Sequence, residues 1–422
     1  VKVVKIVERD GGFPIISDFN DLLMALVTAD EPELALKLYS NLSSYGLVPD
    51  CWTYSIMIRC YCKKNEPSEA KRVLDHMVEN GFQPNVATFT VLINTFCRRG
   101  RVQRAFEVVE VMGRIDCEPT IQTYNCLLKG LCYVGRIEEA YELLMNIKKS
   151  SKKPDIYTYT IVMDGFCKVG RSNEALELLD ETLELGVTPN VVTYNTLLNG
   201  YFKEGKPLKG VDLLNQMKER DCMPDYISYS TLLHGLLKWG EMRAALRIYK
   251  EMVGAGFEVD ERMMNTLLRG LCRRGTRMEE ELLKDAYEVF DRMKNDVSVI
   301  YPFTYSLVIE ALCTGKELDK ALLSLREMVG AGHGRAPRTI TFNNVIRALC
   351  VEGMVDEALS VLVLMYTQSK IPSRISFNIL INEFNRQGRL SCACNVYGAA
   401  LKQGVIPQRK PGECSAEMRV LI

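Results

Sequence analysis

The stretch that decides the fold is Val191–Asp225, VVTYNTLLNGYFKEGKPLKGVDLLNQMKERDCMPD. Displaced by 35 residues either way, the chain aligns with itself. Ile121–Asp155 opens IQTYNCLLKGLCYVGR, Ile156–Asn190 opens IYTYTIVMDGFCKVGR and Tyr226–Asp260 opens YISYSTLLHGLLKWGE. A fixed period of this length signals stacked units. Within the unit, Tyr194, Leu197, Leu198 and Tyr201 fall at the i, i+3, i+4, i+7 spacing of one apolar helical face. Thr193 reads as the cap of that helix. Gly205 sits where the helix ends, and Pro207 fits the first turn of the next. Val211, Leu214 and Met217 supply the second stripe, and Pro224 blocks further helix. Two short helices cannot bury these faces alone, whereas a stack of such pairs can.

Outward from this stretch, eleven units cover 16–50, 51–85, 86–120, 121–155, 156–190, 191–225, 226–260, 261–301, 302–338, 339–373 and 374–408. Ten carry Ser, Thr or Asp in the third slot, read as the helix cap, and ten an aromatic in the fourth. Glycine holds slot fifteen at Gly100, Gly135, Gly170, Gly205, Gly240, Gly275, Gly353 and Gly388. Two units break the period, with six extra residues around Thr276–Asp285 and two near Gly332–Ala336, where solenoids usually carry loops. Residues 1–15 read as the tail of a partial unit, and 409–422 as a polar cap or frayed end. The expected class is all-α, a right-handed α-solenoid superhelix of stacked helix-turn-helix repeats whose first helices line the groove.

Composition narrows the function. The 422 residues are 47% hydrophobic, ample for a continuous core, and 53 basic residues balance 53 acidic ones. An anionic partner must therefore meet a local basic surface rather than a global charge. No apolar run reaches the roughly 18 residues of a membrane span, so no membrane partner is expected. The chain begins at Val1 rather than Met, so its start says nothing about a targeting segment. Of fifteen cysteines, Cys62, Cys97, Cys132, Cys167, Cys272, Cys313 and Cys350 share the twelfth slot. These read as reduced core residues in a reducing compartment. The three histidines His76, His234 and His333 lie near no second ligand set, and Cys60/Cys62 and Cys392/Cys394 lack partners. No metal, cofactor, small-molecule substrate or catalytic constellation is expected, and neither a zinc-deaminase signature nor a phosphate-binding loop is present.

At V-x-T-Y-N-x-L-L, C-K-x-G, A-x-x-L and the closing P-D or P-N, the chain resembles the pentatricopeptide repeat family. It is most similar to the subclass built purely of 35-residue units. The resemblance covers about residues 16–408. It implies an organellar protein, mostly of plants, that binds single-stranded RNA with one base per unit and the RNA 5′ end at the N-terminal units. The mitochondrion is the expected compartment, with the chloroplast as alternative. A second class stays open, a structural subunit of a larger ribonucleoprotein such as the mitochondrial ribosome, holding ribosomal RNA and neighbouring proteins.

The resemblance assigns base reading to the fifth and last slots. Those pairs are Asn20/Asp50, Ser55/Asn85, Thr90/Thr120, Asn125/Asp155, Thr160/Asn190, Asn195/Asp225, Ser230/Asp260, Asn343/Ser373 and Asn378/Gln408. By family analogy Asn with Asp favours uracil, Thr or Ser with Asn adenine, Ser with Asp guanine, and Asn with Ser cytosine. The implied string is U-A-purine-U-A-U-G, then pyrimidine, unread, C, pyrimidine. Asn265/Tyr301 and Ser306/Arg338 depart from the pattern. Polar residues also favour helix first turns and loops after proline, so either slot alone has a structural reading. Second-slot residues sandwich bases in the family. Here Trp52, Tyr157, Val192, Ile227, Phe303, Ile340 and Ile375 suit that contact, with inter-unit packing as the alternative, while Ser17, Gln122 and Arg262 do not. In slot thirteen, Lys63, Arg98, Lys168, Lys203, Lys238, Arg273 and Arg386 form a row suited to phosphates. Tyr133, Thr314 and Val351 interrupt it, and a lone cation there also suits a helix C-terminus.

Overall fold

A computed structural model describes residues 15–275, 280–296, 301–330 and 337–412. The partial unit before residue 15, the tail beyond 412 and the extra residues near Gly332–Ala336 lie outside the described residues. Among the described residues there are twenty-two α-helices, one 3-10 turn and no strand. None of these helices is long and apolar enough to cross a membrane. The chain divides into two compact units, Val1–Gly235 and Leu236–Ile422.

The first unit is a stack of helical hairpins. Its first helices are Ile16–Thr28, Cys51–Lys63, Val86–Arg98, Ile121–Tyr133, Ile156–Lys168 and Val191–Lys203, each packed on the next and on its own second helix. The second unit repeats the plan in Glu261–Gly275 with Glu280–Asp296, Pro302–Thr314 with Leu318–Gly330, Thr339–Val351 with Val355–Thr367, and Arg374–Arg386 with Leu390–Lys402. Where most helices have 13 residues, Glu261–Gly275 has 15 and Glu280–Asp296 has 17. Much of the local excess in this unit is therefore absorbed as helix.

The periodicity of the sequence becomes the core. Tyr194, Leu197, Leu198 and Tyr201 are buried together with Leu213 and Met217. The same cluster runs back through Tyr159, Phe166, Leu128 and Leu131, so apolar contact continues from repeat to repeat. Slot fifteen is left-handed: Gly100, Gly135, Gly170, Gly205, Gly240, Gly353 and Gly388 have φ between +70° and +79°. The three units without glycine there place Asp30, Asn65 and Lys316 at φ 61°, 63° and 64°. The turn geometry thus persists against the side-chain cost that glycine avoids.

One expectation is corrected. The third slot does not cap the first helix, because helical backbone already begins at slot one, and the last slot of the preceding unit is the N-cap. Asn190 accepts from Thr193 N at 3.1 Å, and Asp50 accepts from Thr53 N at 2.7 Å. The third-slot hydroxyl supplies the reciprocal half of a capping box, accepting from Asp50 N at 3.2 Å. Both slots carry cap-type residues, and the sequence pattern alone does not choose between them.

The packing also explains a helix-interior glycine at slot ten. A Cβ on Gly130 would stand 2.6 Å from Cys97 Sγ, 2.7 Å from its Cβ and 3.2 Å from its Cα. Gly165 and Gly200 meet Cys132 Sγ and Cys167 Sγ in the same way, at 2.5 and 2.4 Å. Slot-ten glycine and slot-twelve cysteine therefore form one close helix–helix approach. Cys62, Cys97, Cys132, Cys167, Cys272 and Cys350 are buried, Cys313 is half-buried, and all are free thiols. Burial pushes the thiols of Cys97, Cys132 and Cys272 up to about 12.

Gly130→Ala should lower unfolding free energy by about 1–3 kcal/mol, since the backbone of Cys97 must move. Gly398, inside Leu390–Lys402, has nothing within 4 Å of its added Cβ, so Gly398→Ala should stabilise by up to ~1 kcal/mol through helix propensity. Urea unfolding of both variants checks the opposite signs.

Candidate nucleic-acid interface

Slots two, five, six, nine and thirteen fall on one face of each first helix at spacings of three and four residues. Slot two is exposed throughout. Trp52 is 46% accessible, Tyr157 50%, Phe303 51%, Ile375 53%, Ile227 57%, Ile340 61% and Val192 65%. About half of each side chain is therefore open to solvent, while Tyr157 and Phe303 also touch a side chain of the preceding repeat.

The fifth and last slots meet through a third residue. Asn20 Nδ2 donates to Asp50 Oδ1 at 3.0 Å, while Thr53 Oγ1, from the next unit, lies 2.7 Å from Asn20 Oδ1 and 2.8 Å from Asp50 Oδ1. Asn195, Asp225 and Ser228 repeat the triad at 3.1, 2.6 and 2.9 Å. Asn343, Ser373 and Ser376 close it at 3.3, 2.6 and 3.1 Å. Burial opposes ionisation of Asp50 and Asp225, but hydrogen bonds from the third-slot backbone and hydroxyl and from the asparagine outweigh it. Both carboxyls therefore sit below the usual range. Each is a carboxylate near neutral pH, with Oδ1 engaged in the triad.

Hydroxyl repeats are wired differently. Thr90 Oγ1 lies 2.8 Å from Val86 O, which can only accept, so Thr90 donates there and accepts from Thr123 Oγ1 at 2.9 Å. Thr160 does the same with Ile156 O and Thr193, and Ser55 with Cys51 O and Thr88. Asn85 and Asn190 accept from the following third-slot N–H at 2.9 and 3.1 Å, and Thr120 joins a capping box with Thr123.

Other pairs stand apart. Asp155 caps Thr158, but among the described residues Asn125 hydrogen-bonds neither, and its Oδ1 is buried without a hydrogen-bond partner. In the first unit Ser230 donates to Ile227 O, and in the second Asp260 accepts from Met263 N at 2.8 Å. Asn378 Oδ1 accepts from the backbone N–H of Gln408 at 3.0 Å and of Arg409 at 3.3 Å, so this pair meets through main chain. Of the two departing pairs, Asn265 accepts from Thr304 and Ser306 from Thr341, while Tyr301 and Arg338 make no side-chain cap.

The slot-thirteen cations are exposed at the ends of their helices but differ in freedom. Lys63 Nζ donates to Val27 O at 2.6 Å. Lys168 pairs with Asp164 at 2.6 Å, and Arg386 forms two hydrogen bonds to Glu383 at 2.8 and 2.6 Å. Lys238 lies over the ring of Trp239, and Arg273 also has a partner. Among the described residues, Arg98 and Lys203 make neither a hydrogen bond nor an ion pair. Arg98 lines an open groove of about 380 Å³ with Asn94, Lys129, Tyr133, Asp164 and Lys168.

Sequence reasoning missed slot nine. Arg59, Lys129, Arg269 and Arg347 stand there exposed, four residues before slot thirteen. Lys129 Nζ lies 4.8 Å from the ring centroid of Tyr157, and the Arg269 guanidinium 5.3 Å from that of Phe303. Lys129 thus hydrogen-bonds the phenol oxygen of the following repeat's second-slot tyrosine at the ring edge, and Arg269 lies over the second-slot ring of Phe303. Four basic residues at one register were the available signal.

The arrangement defines a repeat protein of stacked two-helix units, each presenting an exposed second-slot side chain and, in most repeats, a polar pair and a cation. A PPR repeat family model matches residues 16–63, 56–98, 90–133, 119–168, 161–200, 189–238, 224–273 and 337–386, and a PPR repeat model matches 303–333. The chain belongs to the PPR repeat family. Among solved structures it is similar to maize PPR10, at 22% identity over 97% of this chain and 66% of that one, with a TM-score of 0.42. It thus spans about two thirds of that structure's length. PPR10 in complex with an 18-nt psaJ RNA element is 20% identical over 96% and 85% of the two chains, with a TM-score of 0.38. The PPR domain of Arabidopsis thaliana protein-only RNase P 1 in complex with tRNA is 18% identical over 44% and 94%, with a TM-score of 0.35.

Proposed function

We propose that the chain binds single-stranded RNA along the first-helix face, one base per repeat, and acts on an organellar transcript in its stabilisation, processing or translation. The observation that carries this reading is the recurrence, in one register, of an exposed apolar second slot beside a polar fifth/last pair. Apolar and aromatic faces stack on unpaired bases, polar pairs address base edges, and cations follow phosphates. The compartment proposed is the mitochondrion, with the chloroplast as the alternative, and fractionation of tagged protein tests that choice.

The binding test uses an RNA carrying U-A-purine-U-A-U, the string for the six repeats 16–225, against a scrambled RNA of equal composition over a salt series. Preference for the ordered string supports base reading. Equal, equally salt-sensitive binding would overturn it in favour of a scaffold within a larger ribonucleoprotein.

A further inference from the structure

The third-slot residue is buried behind the fifth, and the base-reading scheme gives it no part. Thr53, Thr123, Thr193, Ser228 and Ser376 are all inaccessible or nearly so, and each places its hydroxyl on the fifth-slot side chain of the preceding repeat, at 2.6–2.9 Å. We infer that this hydroxyl is a positioning residue for RNA recognition, setting whether the fifth slot offers the groove a donor or an acceptor. The inference rests on the base-reading function proposed above.

The chemistry differs by fifth-slot type. Where the fifth residue is Asn, the hydroxyl engages Oδ1 and Nδ2 is turned to the last slot. One amide hydrogen is then bonded, and the second remains for a base acceptor. Asp225 keeps Oδ2 as an acceptor beside it. A donor next to an acceptor matches uracil O4 and N3–H, whereas cytosine presents N4–H and the N3 lone pair in reversed order. Where the fifth residue is Ser or Thr, its own proton goes to the slot-one carbonyl and the third-slot hydroxyl occupies one lone pair. What remains is an acceptor, suited to an exocyclic amine such as adenine N6.

The repeats themselves contain the comparison. At Asn20, Asn195 and Asn343 the hydroxyl reaches Oδ1, and the amide also reaches the last slot. At Asn125 the hydroxyl of Thr158 goes to Asp155, and among the described residues the asparagine forms no hydrogen bond with either, its Oδ1 being buried without a partner. Where the last slot is Asp or Ser the two bonds are present together and absent together, whereas at Asn265, whose last slot is Tyr301, the hydroxyl of Thr304 reaches Oδ1 on its own. An Asp in the last slot therefore does not hold the asparagine unaided.

The test is Ser228→Ala in the full chain, read as the uracil-over-cytosine ratio of RNA affinities when single bases of the target are exchanged. Loss of one net hydrogen bond should cut that ratio at the base facing Asn195 by roughly five- to tenfold. The ratio at the base facing Asn20, served by Thr53, should be unchanged, which separates positioning from unfolding. Ser228→Thr should restore the parental ratio. A Ser228→Ala protein that keeps the full ratio at the Asn195 base overturns the inference, as does equal loss at both bases. A parent protein with no base preference overturns the base-reading function itself, and this inference with it.

Discussion

Exchanging Asn195→Thr together with Asp225→Asn should move the preference of one repeat from uracil to adenine and leave every other position of the target as it was. The structure accommodates both changes. Thr160 already shows how a threonine sits in the fifth slot, donating to Ile156 O and accepting from Thr193. Val191 O and Ser228 Oγ stand at the equivalent positions for residue 195. Asn190 shows that asparagine in the last slot still caps the following helix, at 3.1 Å from Thr193 N. The cap contribution, about 1 kcal/mol if lost to alanine, is therefore retained and the fold is not the variable. A good two-point base contact discriminates by roughly 1–3 kcal/mol, so affinity for the original RNA should fall about 5- to 150-fold. A matching U-to-A target should recover it. Competition binding with the two RNAs checks both halves. Loss without recovery would mean that the pair serves the cap alone.

What the sequence shows of this molecule follows from which forces have a period. Burial does, so Tyr194, Leu197, Leu198 and Tyr201 reveal a helix and its inward face before any coordinate is known. The left-handed turn does, through glycine at slot fifteen. Hydrogen bonding between repeats is less legible, because Thr193 and Asn190 are both cap-type residues three apart. Only the backbone shows that the helix starts between them. Gly130 looks like a helix weakness until its distance to Cys97 is measured. Asn125 and Asn195 carry the same letters at slots five and thirty-five, yet one amide is held and the other is not. Such a difference in hydrogen bonding has no counterpart in a pattern of residue types. The slot-nine cations are a different kind of miss, since Arg59, Lys129, Arg269 and Arg347 were visible and only their proximity to slots two and thirteen was not.

The cation row should divide into two classes when its members are removed. Among the described residues Arg98 and Lys203 make no hydrogen bond or ion pair that would have to be given up, so each can displace a counterion from RNA. Arg386 is held by Glu383, whose carboxylate is largely buried, at 2.6 and 2.8 Å. Its charge is already answered, and turning it to a phosphate would leave Glu383 without its partner. For single strands the salt slope changes by about 0.7 for each phosphate left without its cation. Arg98→Ala with Lys203→Ala should flatten the log–log salt dependence by about 1.4 and weaken binding roughly twentyfold at 0.1 M salt. Arg386→Ala should alter the slope by much less than 0.7. The weakening in the double variant should be uniform across RNA sequences, unlike the single-position effect of the Asn195/Asp225 exchange. Titrations at four salt concentrations, with ordered and scrambled RNA, separate these outcomes. A double variant with the parental slope would show that slot thirteen only neutralises its own helix end, leaving slot nine, with Lys129 beside Arg98 in the same groove, as the remaining cation row on that face.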